Sequence, residues 1–448
     1  DLTANLAIGG LLLTLGITLA TQWDSSGTIS GQLLIIDRYG LLFKTIFMGT
    51  GIAVVLMSHD YVGSKIKNPG EFYALIVVTV LASILMAQSG EMLTAYIAIE
   101  LLSFSLYVLV AIARGDARSA EASVKYILLG AISSAIMLYG LSLLYGVVGT
   151  TTFIGISENL GASHWPTSAL GLSMFLAGFG FKLSVVPFHQ WAPDVYEGAP
   201  TPVTALIAVL SKAAGIALLI RFLAEAGPRT VDEWQIPLAI LAAVTITVGT
   251  LVALVQQNIK RLLAYSSIAQ VGFVLVGVVS LSQAATIAVI VHLVGYAFTA
   301  LAVFLVVAIV ETKTGREDIP GYAGLASRAP FLAMVMAGGM FSLAGLPIFA
   351  GFVTKFYLFV AAAESGLLWL VIVAVTNSFV SLYYYLRIIR AMYVDNPSDG
   401  ATGVIITPIV AKGTLWILFA GMIGVGIYPR LIADAAEGAT ATLRLFGG

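Results

Sequence analysis

The amino-acid sequence predicts an all-α polytopic membrane protein of about thirteen transmembrane helices, ten of them forming two inverted five-helix repeats that each contain a broken helix. Three observations carry this expectation. Of 448 residues, 59% are hydrophobic and 10% charged, against about 25% charged in a soluble domain, and mean hydropathy is +0.99. Apolar runs of about 20 residues, the length that crosses ~30 Å of hydrocarbon as a helix, recur along the whole chain. Two of these runs are interrupted by glycine and proline, and such interruptions at matching places in two halves point to a transport site.

In order, the runs cover residues 5–22, 39–58, 72–89, 92–112, 120–147, 169–189, 203–224, 236–257, 262–281, 284–311, 331–363, 366–392 and 409–428. Each is expected to be helical, because a helix satisfies its own backbone groups where no water can. The 331–363 run is too long for one crossing and is interrupted by Gly345-Leu-Pro347 and Gly351, so it reads as two half-helices. The 169–189 run is broken near Pro187. Leu93-Thr-Ala-Tyr96 and Leu262-Leu-Ala-Tyr265 lie 169 residues apart, Lys182 and Lys355 lie 173 apart, and Val124-Lys125 and Val291-His292 lie 167 apart. This near-constant offset places one repeat at 72–224 and the second at 236–392. An odd number of helices in each makes their topologies inverted. Residues 1–71 then hold N-terminal transmembrane helices, and 393–448 a C-terminal transmembrane helix and tail. In this alignment the prolines do not correspond, since Pro187 follows its lysine and Pro347 precedes its partner.

Charge sets orientation. One side receives Lys65, Lys67, Arg114, Arg118, Lys260, Arg261, Lys313, Arg316, Arg328, Arg387, Arg390 and Lys412; the other receives mainly Arg38, Arg221, Arg229, Arg430 and Arg444. The first is the cytoplasmic side or its topological equivalent. A net charge of −1 leaves no basic surface for nucleic acid, so no nucleic-acid partner is expected. The chain has no cysteine, which excludes disulfides, thiolate zinc sites and Cys-ligated iron–sulfur clusters. Its four histidines make no ligand spacing, and neither a metal nor a bound cofactor is expected in this chain.

The informative residues are ionisable groups inside apolar runs. Lys182 lies within Phe175–Phe188, where a lysine costs roughly 2.5–3.5 kcal/mol on insertion scales. Glu100, Lys212, His292 and Lys355 occupy comparable positions, and Lys125 lies about a turn inside its helix. Burial disfavours the charged form of each such group and an opposite charge nearby restores it, so a Glu–Lys pair can hold or release a proton as separation or hydration changes. The bland alternatives are a static ion pair, a snorkelling lysine or a packed histidine. Function is favoured because one glutamate cannot neutralise three lysines. His189, Asp194 and Glu197 are expected in a loop, in structural or gating roles. Tyr383–Tyr385 are expected to be belt or packing aromatics.

Phe181-Lys-Leu-Ser-Val-Val-Pro-Phe-His-Gln-Trp-Ala-Pro-Asp-Val-Tyr-Glu-Gly-Ala-Pro-Thr-Pro-Val203 resembles the signature of the antiporter-like membrane subunits of proton-pumping NADH-quinone oxidoreductase, respiratory complex I, and specifically of the subunit N family. Ile99-Glu-Leu-Leu-Ser-Phe-Ser-Leu-Tyr107, Ala122-Ser-Val-Lys-Tyr-Ile-Leu-Leu-Gly130, Asn258-Ile-Lys-Arg-Leu-Leu-Ala-Tyr-Ser-Ser267 and Phe341-Ser-Leu-Ala-Gly-Leu-Pro347 are similar to further family motifs. The resemblance implies fourteen helices in the family, of which this chain carries about thirteen. It implies a kinship with Mrp-type sodium/proton antiporters and a proton-translocation role for Glu100, Lys182, Lys212 and Lys355. His292 matches no assigned family residue.

The resemblance thus implies a non-redox subunit of an H+-translocating NADH:quinone oxidoreductase. It would couple quinone reduction elsewhere in the complex to proton transfer through buried Glu and Lys. NADH, FMN, iron–sulfur clusters and quinone would belong to partner subunits, and the partners would be other membrane subunits of complex I and the lipid bilayer. The expected location is a bacterial inner membrane, or a thylakoid-type membrane. The competing readings are a subunit of a Mrp-type cation/proton antiporter, a photosynthetic-type complex taking electrons from ferredoxin to plastoquinone, and a scaffold whose polar residues only join helices.

Overall fold

The structure, a computed structural model, describes residues 2–160, 165–226, 231–280, 282–397 and 403–447. The chain opens with α1 (Leu2–Ile17), prolonged by a wide turn to Gln22, and a short antiparallel hairpin of β1 (Gly27–Ile29) and β2 (Leu34–Ile36). Then come α2 (Arg38–Lys65), α3 (Pro69–Gln88), α4 (Met92–Val110), α5 (Ala117–Val148) and the short α6 (Phe153–Asn159). Next are α7 (Trp165–Leu183), α8 (Trp191–Gly198), α9 (Thr201–Leu206) and α10 (Lys212–Ala226), the last two joined by a π-type turn at Ile207–Ser211. The chain continues through α11 (Val231–Ala253), α12 (Ile259–Val279), α13 (Gln283–Thr314), α14 (Leu325–Arg328), α15 (Pro330–Ala344) and α16 (Ala350–Glu364). It ends with α17 (Leu368–Tyr393), α18 (Ile409–Ile427), α19 (Arg430–Thr440) and α20 (Arg444–Gly447).

Among the described residues, eleven helices are long and apolar enough to cross a membrane. They coincide with eleven of the runs read from the sequence. The other two, 169–189 and 331–363, are the interrupted ones. The first is α7 followed by a non-helical stretch from Ser184 to Gln190, and the second is divided between α15 and α16. Helix starts follow local chemistry. Asp37 accepts from Gly40 N at 2.7 Å, Asn258 from Lys260 N at 2.8 Å and Ser282 from Ala285 N at 3.2 Å, each satisfying a donor that the first turn leaves free.

The centre is α9–α10, α12 and α13, whose residues are almost all buried, whereas α1, α5, α17 and α18 turn leucine, isoleucine and phenylalanine outward. The hydrocarbon chains of a bilayer suit such a surface. Two close helix pairs, α5 with α7 and α11 with α12, depend on glycine. A Cβ on Gly178 would lie 2.5 Å from Ser133 O, and one on Gly272 2.5 Å from Ile246 Cγ1. Small residues at such crossings let helices approach where lipid offers no hydrophobic drive.

Charged residues gather at two opposite faces. One carries Lys65 with Glu311, Lys260 with Glu317 at 3.0 Å, Arg118 with Glu317 at 3.4 Å and Arg261 with Asp194 at 2.6 Å. The other carries Arg38 with Asp24 at 2.6 Å and Arg221 with Asp37 at 2.5 Å. Arg221 lies within the 203–224 run, as expected. It is fully buried on α10, where it binds both oxygens of Asp37 and donates to Ala87 O at 3.1 Å. Arg229 lies outside the described residues.

Candidate functional site

Two buried lysines sit at the two helix breaks, and the reason is legible in the backbone. In an α-helix the carbonyl of residue i accepts from the N–H of residue i+4. Leu183 at the end of α7 has Pro187 four residues on, and Leu343 near the end of α15 has Pro347. Proline has no N–H, so both carbonyls lose their helical donor inside the apolar interior. Lys212 Nζ donates to Leu183 O at 2.8 Å and also to Ser184 Oγ. Lys355 Nζ donates to Leu343 O at 2.8 Å and to Ser378 Oγ at 3.1 Å. Gln270 Nε2 adds a second donor to Leu343 O at 3.3 Å. Each ammonium also meets the negative end of a helix dipole. The two Leu–Pro spacings lie 160 residues apart, and Lys212 and Lys355 make the same kind of contact.

Lys182 stands one residue before Leu183 and faces another way. Its Nζ lies 3.9 Å from Glu100 Oε1 and donates to Ser103 Oγ at 2.5 Å and Tyr107 OH at 3.3 Å. Ser134 Oγ donates to Glu100 Oε1 at 2.5 Å. The pair therefore joins α4, α5 and α7, with the lysine buried and Glu100 slightly exposed. Lys182 and Lys212 do not touch. They lie against one aromatic cluster, Lys182 Nζ 5.5 Å from the Phe181 ring and Lys212 Nζ 5.4 Å from the Trp191 ring, with those two rings 5.2 Å apart.

Lys355 is buried at the start of α16 rather than snorkelling. His292 is buried on α13, with Nδ1 3.0 Å from Thr354 Oγ1, one residue before Lys355. Between the two breaks α12 carries a polar stripe that the sequence reading missed. Ser267 Oγ lies 3.2 Å from Tyr196 OH, Ser266 Oγ lies 2.5 Å from Tyr385 OH, and Gln270 reaches Leu343 O. Tyr384 and Tyr385 are buried packing aromatics and Tyr383 is exposed, as belt or packing residues would be, and Tyr385 also joins the interior polar stripe. The available signal was Ser266 and Gln270, four residues apart on one face of an otherwise apolar helix.

Lys125 is apart from this axis. It is half-exposed on the charged face, 3.0 Å from Asp194 and 2.8 Å from Glu121. Asp194 and Glu197 belong to the short helix α8 rather than to a loop, and both bind Arg261. Burial pushes the Asp194 carboxyl up, but hydrogen bonds from Arg261 and Lys125 outweigh it and hold the group below the usual carboxylate range.

The NADH:quinone oxidoreductase/Mrp antiporter membrane family matches residues 89–381, a span that holds both helix breaks and Glu100, Lys125, Lys182, Lys212, His292 and Lys355. The chain belongs to this family. Within it, the chain is 42% identical to NADH-quinone oxidoreductase subunit N of Desulforamulus reducens, covering 98% of this chain and 92% of that one. It is 40% identical to NAD(P)H-quinone oxidoreductase subunit 2 of a Synechococcus species, over 89% of this chain and 76% of that one. Among solved structures, a chain of respiratory complex I from Thermus thermophilus is 31% identical with a TM-score of 0.81, covering 98% of this chain and 94% of that one. A chain of the Mrp complex of Dietzia, at 21% identity and a TM-score of 0.86 over 99% of this chain and 92% of that one, shares the fold. The antiporter-like family is an integral-membrane one, in keeping with the apolar helices of this chain.

Proposed function

We propose that this chain is the subunit N-type, proton-translocating membrane component of a redox-driven quinone oxidoreductase. The observation that carries the reading is that Lys212 and Lys355 are both buried and each is held on the carbonyl that a helix-breaking proline has freed. A lysine bound to a neutral backbone dipole can give up its proton without leaving a carboxylate unpaired. The breaks also expose further backbone groups on which water can be held. Thirteen crossings result if the two interrupted segments each cross once, with inverted units at 72–224 and 236–392 flanked by residues 1–71 and 393–448.

In this mechanism Glu100 and Lys182 form a switchable pair. Loosening it leaves Lys182 without its counter-charge and drives a proton toward Lys212. Lys212 passes it along the stripe of Tyr196, Ser267, Ser266, Tyr385 and Gln270 to Lys355, and His292 acts beside Lys355 through Thr354. Lys125 sits at the charged surface, where it steers Asp194. The chain performs no redox step: NADH, FMN, iron–sulfur clusters and quinone belong to partner subunits, and its own partners are the other membrane subunits and lipid. The similarity to subunit 2 proteins at 40% beside subunit N proteins at 42% keeps a photosynthetic-type complex as the second reading, with the same chemistry inside this chain. The test is proton pumping per electron in the reconstituted, fully assembled complex. Lys182→Ala and Lys212→Ala are expected to lower it, and wild-type stoichiometry in both would leave only the scaffold reading.

A further inference from the structure

The relay leaves unused a charged cluster where α2, α9, α12 and the loop after α13 meet. Glu311 is buried near the end of α13 and accepts from Lys65 Nζ, Thr201 Oγ1 and, at 3.1 Å, Tyr61 OH. Lys260 Nζ is buried between Glu317 at 3.0 Å and Ala199 O at 3.1 Å. All of these except Thr201 line a cavity of about 90 Å³ whose wall also includes Asp116, Arg118, Glu197 and Pro200. A water needs some 10–15 Å³ of such space and a few polar partners, so several fit.

We propose that this cavity is the proton inlet of the chain, with Glu311 as the carboxylate that takes protons from water on the charged face. The inference rests on the proton-translocation reading and adds the place where protons are collected. Four acids (Asp116, Glu197, Glu311, Glu317) and three bases (Lys65, Arg118, Lys260) are interleaved around the cavity, and Glu311, Glu317, Lys65 and Lys260 are engaged with one another or with neighbouring groups, which suits neither an anion nor a metal ion. A proton needs only one lone pair. Lys65 is more than a third exposed while Glu311 is nearly covered, so the carboxylate communicates with bulk water along the lysine. Inward from Glu311, Thr201 and Thr204 are fully buried one turn apart on α9. Thr204 Oγ1 donates to the main-chain O of Tyr196 at 3.1 Å, and the hydroxyl of that tyrosine lies 3.2 Å from Ser267 Oγ. A carbonyl cannot pass a proton to the phenol of its own residue, so the way from the threonines to the α12 stripe between Lys212 and Lys355 needs bridging water. Only O–H bonds are made and broken: Glu311 gains a proton from cavity water and returns it to water or a hydroxyl further in.

The opposite face is built differently. Its buried pair is Asp37 with Arg221, and an arginine keeps its proton at any working pH. That pair seals, whereas the Glu311 cluster can exchange.

The experiment uses the fully assembled complex in sealed vesicles, with Glu311→Gln, Thr201→Val and Lys212→Ala compared for proton uptake and quinone reduction. The expected result is loss of most proton uptake in Glu311→Gln and a smaller loss in Thr201→Val, with normal assembly in the latter. Because the chain contains no cysteine, Ala113→Cys in the cavity wall gives a second measurement in this subunit: a small charged methanethiosulfonate should modify it from the charged face and slow uptake. Wild-type uptake in Glu311→Gln beside loss in Lys212→Ala overturns the inlet alone. Wild-type uptake in both overturns the relay and the inlet with it. If Glu311→Gln does not assemble, wild-type uptake in Thr201→Val together with unchanged uptake after modification of Ala113→Cys overturns the inlet.

Discussion

The two helix breaks solve one problem with different surroundings. At each, a proline leaves a carbonyl without its helical donor and a buried lysine supplies one. Beside the first break stands an acid, Glu100, 3.9 Å from Lys182. Beside the second, among the described residues, no carboxylate lies within ion-pair distance of Lys355. Its neighbours are neutral: Ser378 and Leu343 O directly, the Phe273 ring at 4.5 Å, and His292 through Thr354. The first break therefore contains a two-charge switch and the second a single charge held by dipoles. This separates the group that starts a transfer from the group that receives it.

The strongest way to break this comparison is to remove the lysines one at a time. Lys212→Ala and Lys355→Ala should each slow proton transfer by roughly a hundredfold or more, the scale of a positioned proton-transfer group. Arginine at either position should also fail, because it binds the carbonyl but does not release its proton. Stopped-flow uptake in proteoliposomes measures both. If Lys355→Ala alone pumps normally, the two breaks are not equivalent in function.

A second change tests geometry without touching charge. A Cβ on Gly351 would lie 1.7 Å from Ser342 O, so Gly351→Ala must push α16 away from α15. A cost of about 1–3 kcal/mol is expected from such overpacking, read as a lower thermal midpoint of the purified complex together with weaker pumping. Glu100→Gln acts on the first break only. The expected slowing is on the order of tenfold, a fraction of the ~4 kcal/mol that two unit charges exchange at ~4 Å in an effective dielectric near 20. Equal slowing of a Lys355-limited step would contradict the division of roles.

The smallest effect is at the surface. The Asp194 carboxyl is held below the usual range by Arg261 and Lys125, so its contribution is present above the unfolded pKa of about 3.9 and is lost as pH falls through the lower, folded value. Asp194→Asn should leave pumping near neutral pH almost unchanged and flatten the acid limb of a thermal-stability profile. A change at neutral pH of the size seen for Glu100→Gln would move Asp194 into the transfer path.

Most of the helices were legible because a bilayer forces length and apolarity on each crossing. The interrupted segments were legible because glycine and proline break helices for local reasons. Glu100, Lys182, Lys212 and Lys355 could be found because burying a charge is costly enough to need a cause. Partners far apart in the chain could not be read. Arg221 gave no hint of Asp37, 184 residues away, and Glu311 none of Lys65, 246 residues distant. The i+4 relation of Leu183 to Pro187 and of Leu343 to Pro347 was present in the sequence. It pointed nowhere until the structure placed an ammonium on each carbonyl.

That ammonium-on-carbonyl contact has a bearing on how this protein can vary. A carboxylate counter-ion is a side chain and can be lost by a single codon change. The oxygen that holds Lys212 belongs to the main chain, and so does the one that holds Lys355. No replacement at Leu183 or Leu343 can delete those oxygens. Only the residues that bend the chain can withdraw them. In a library of variants, positions 183 and 343 should tolerate other apolar side chains of similar volume, while Pro187 and Pro347 should resist exchange, because the docking point for each lysine is encoded four residues downstream of where it lies.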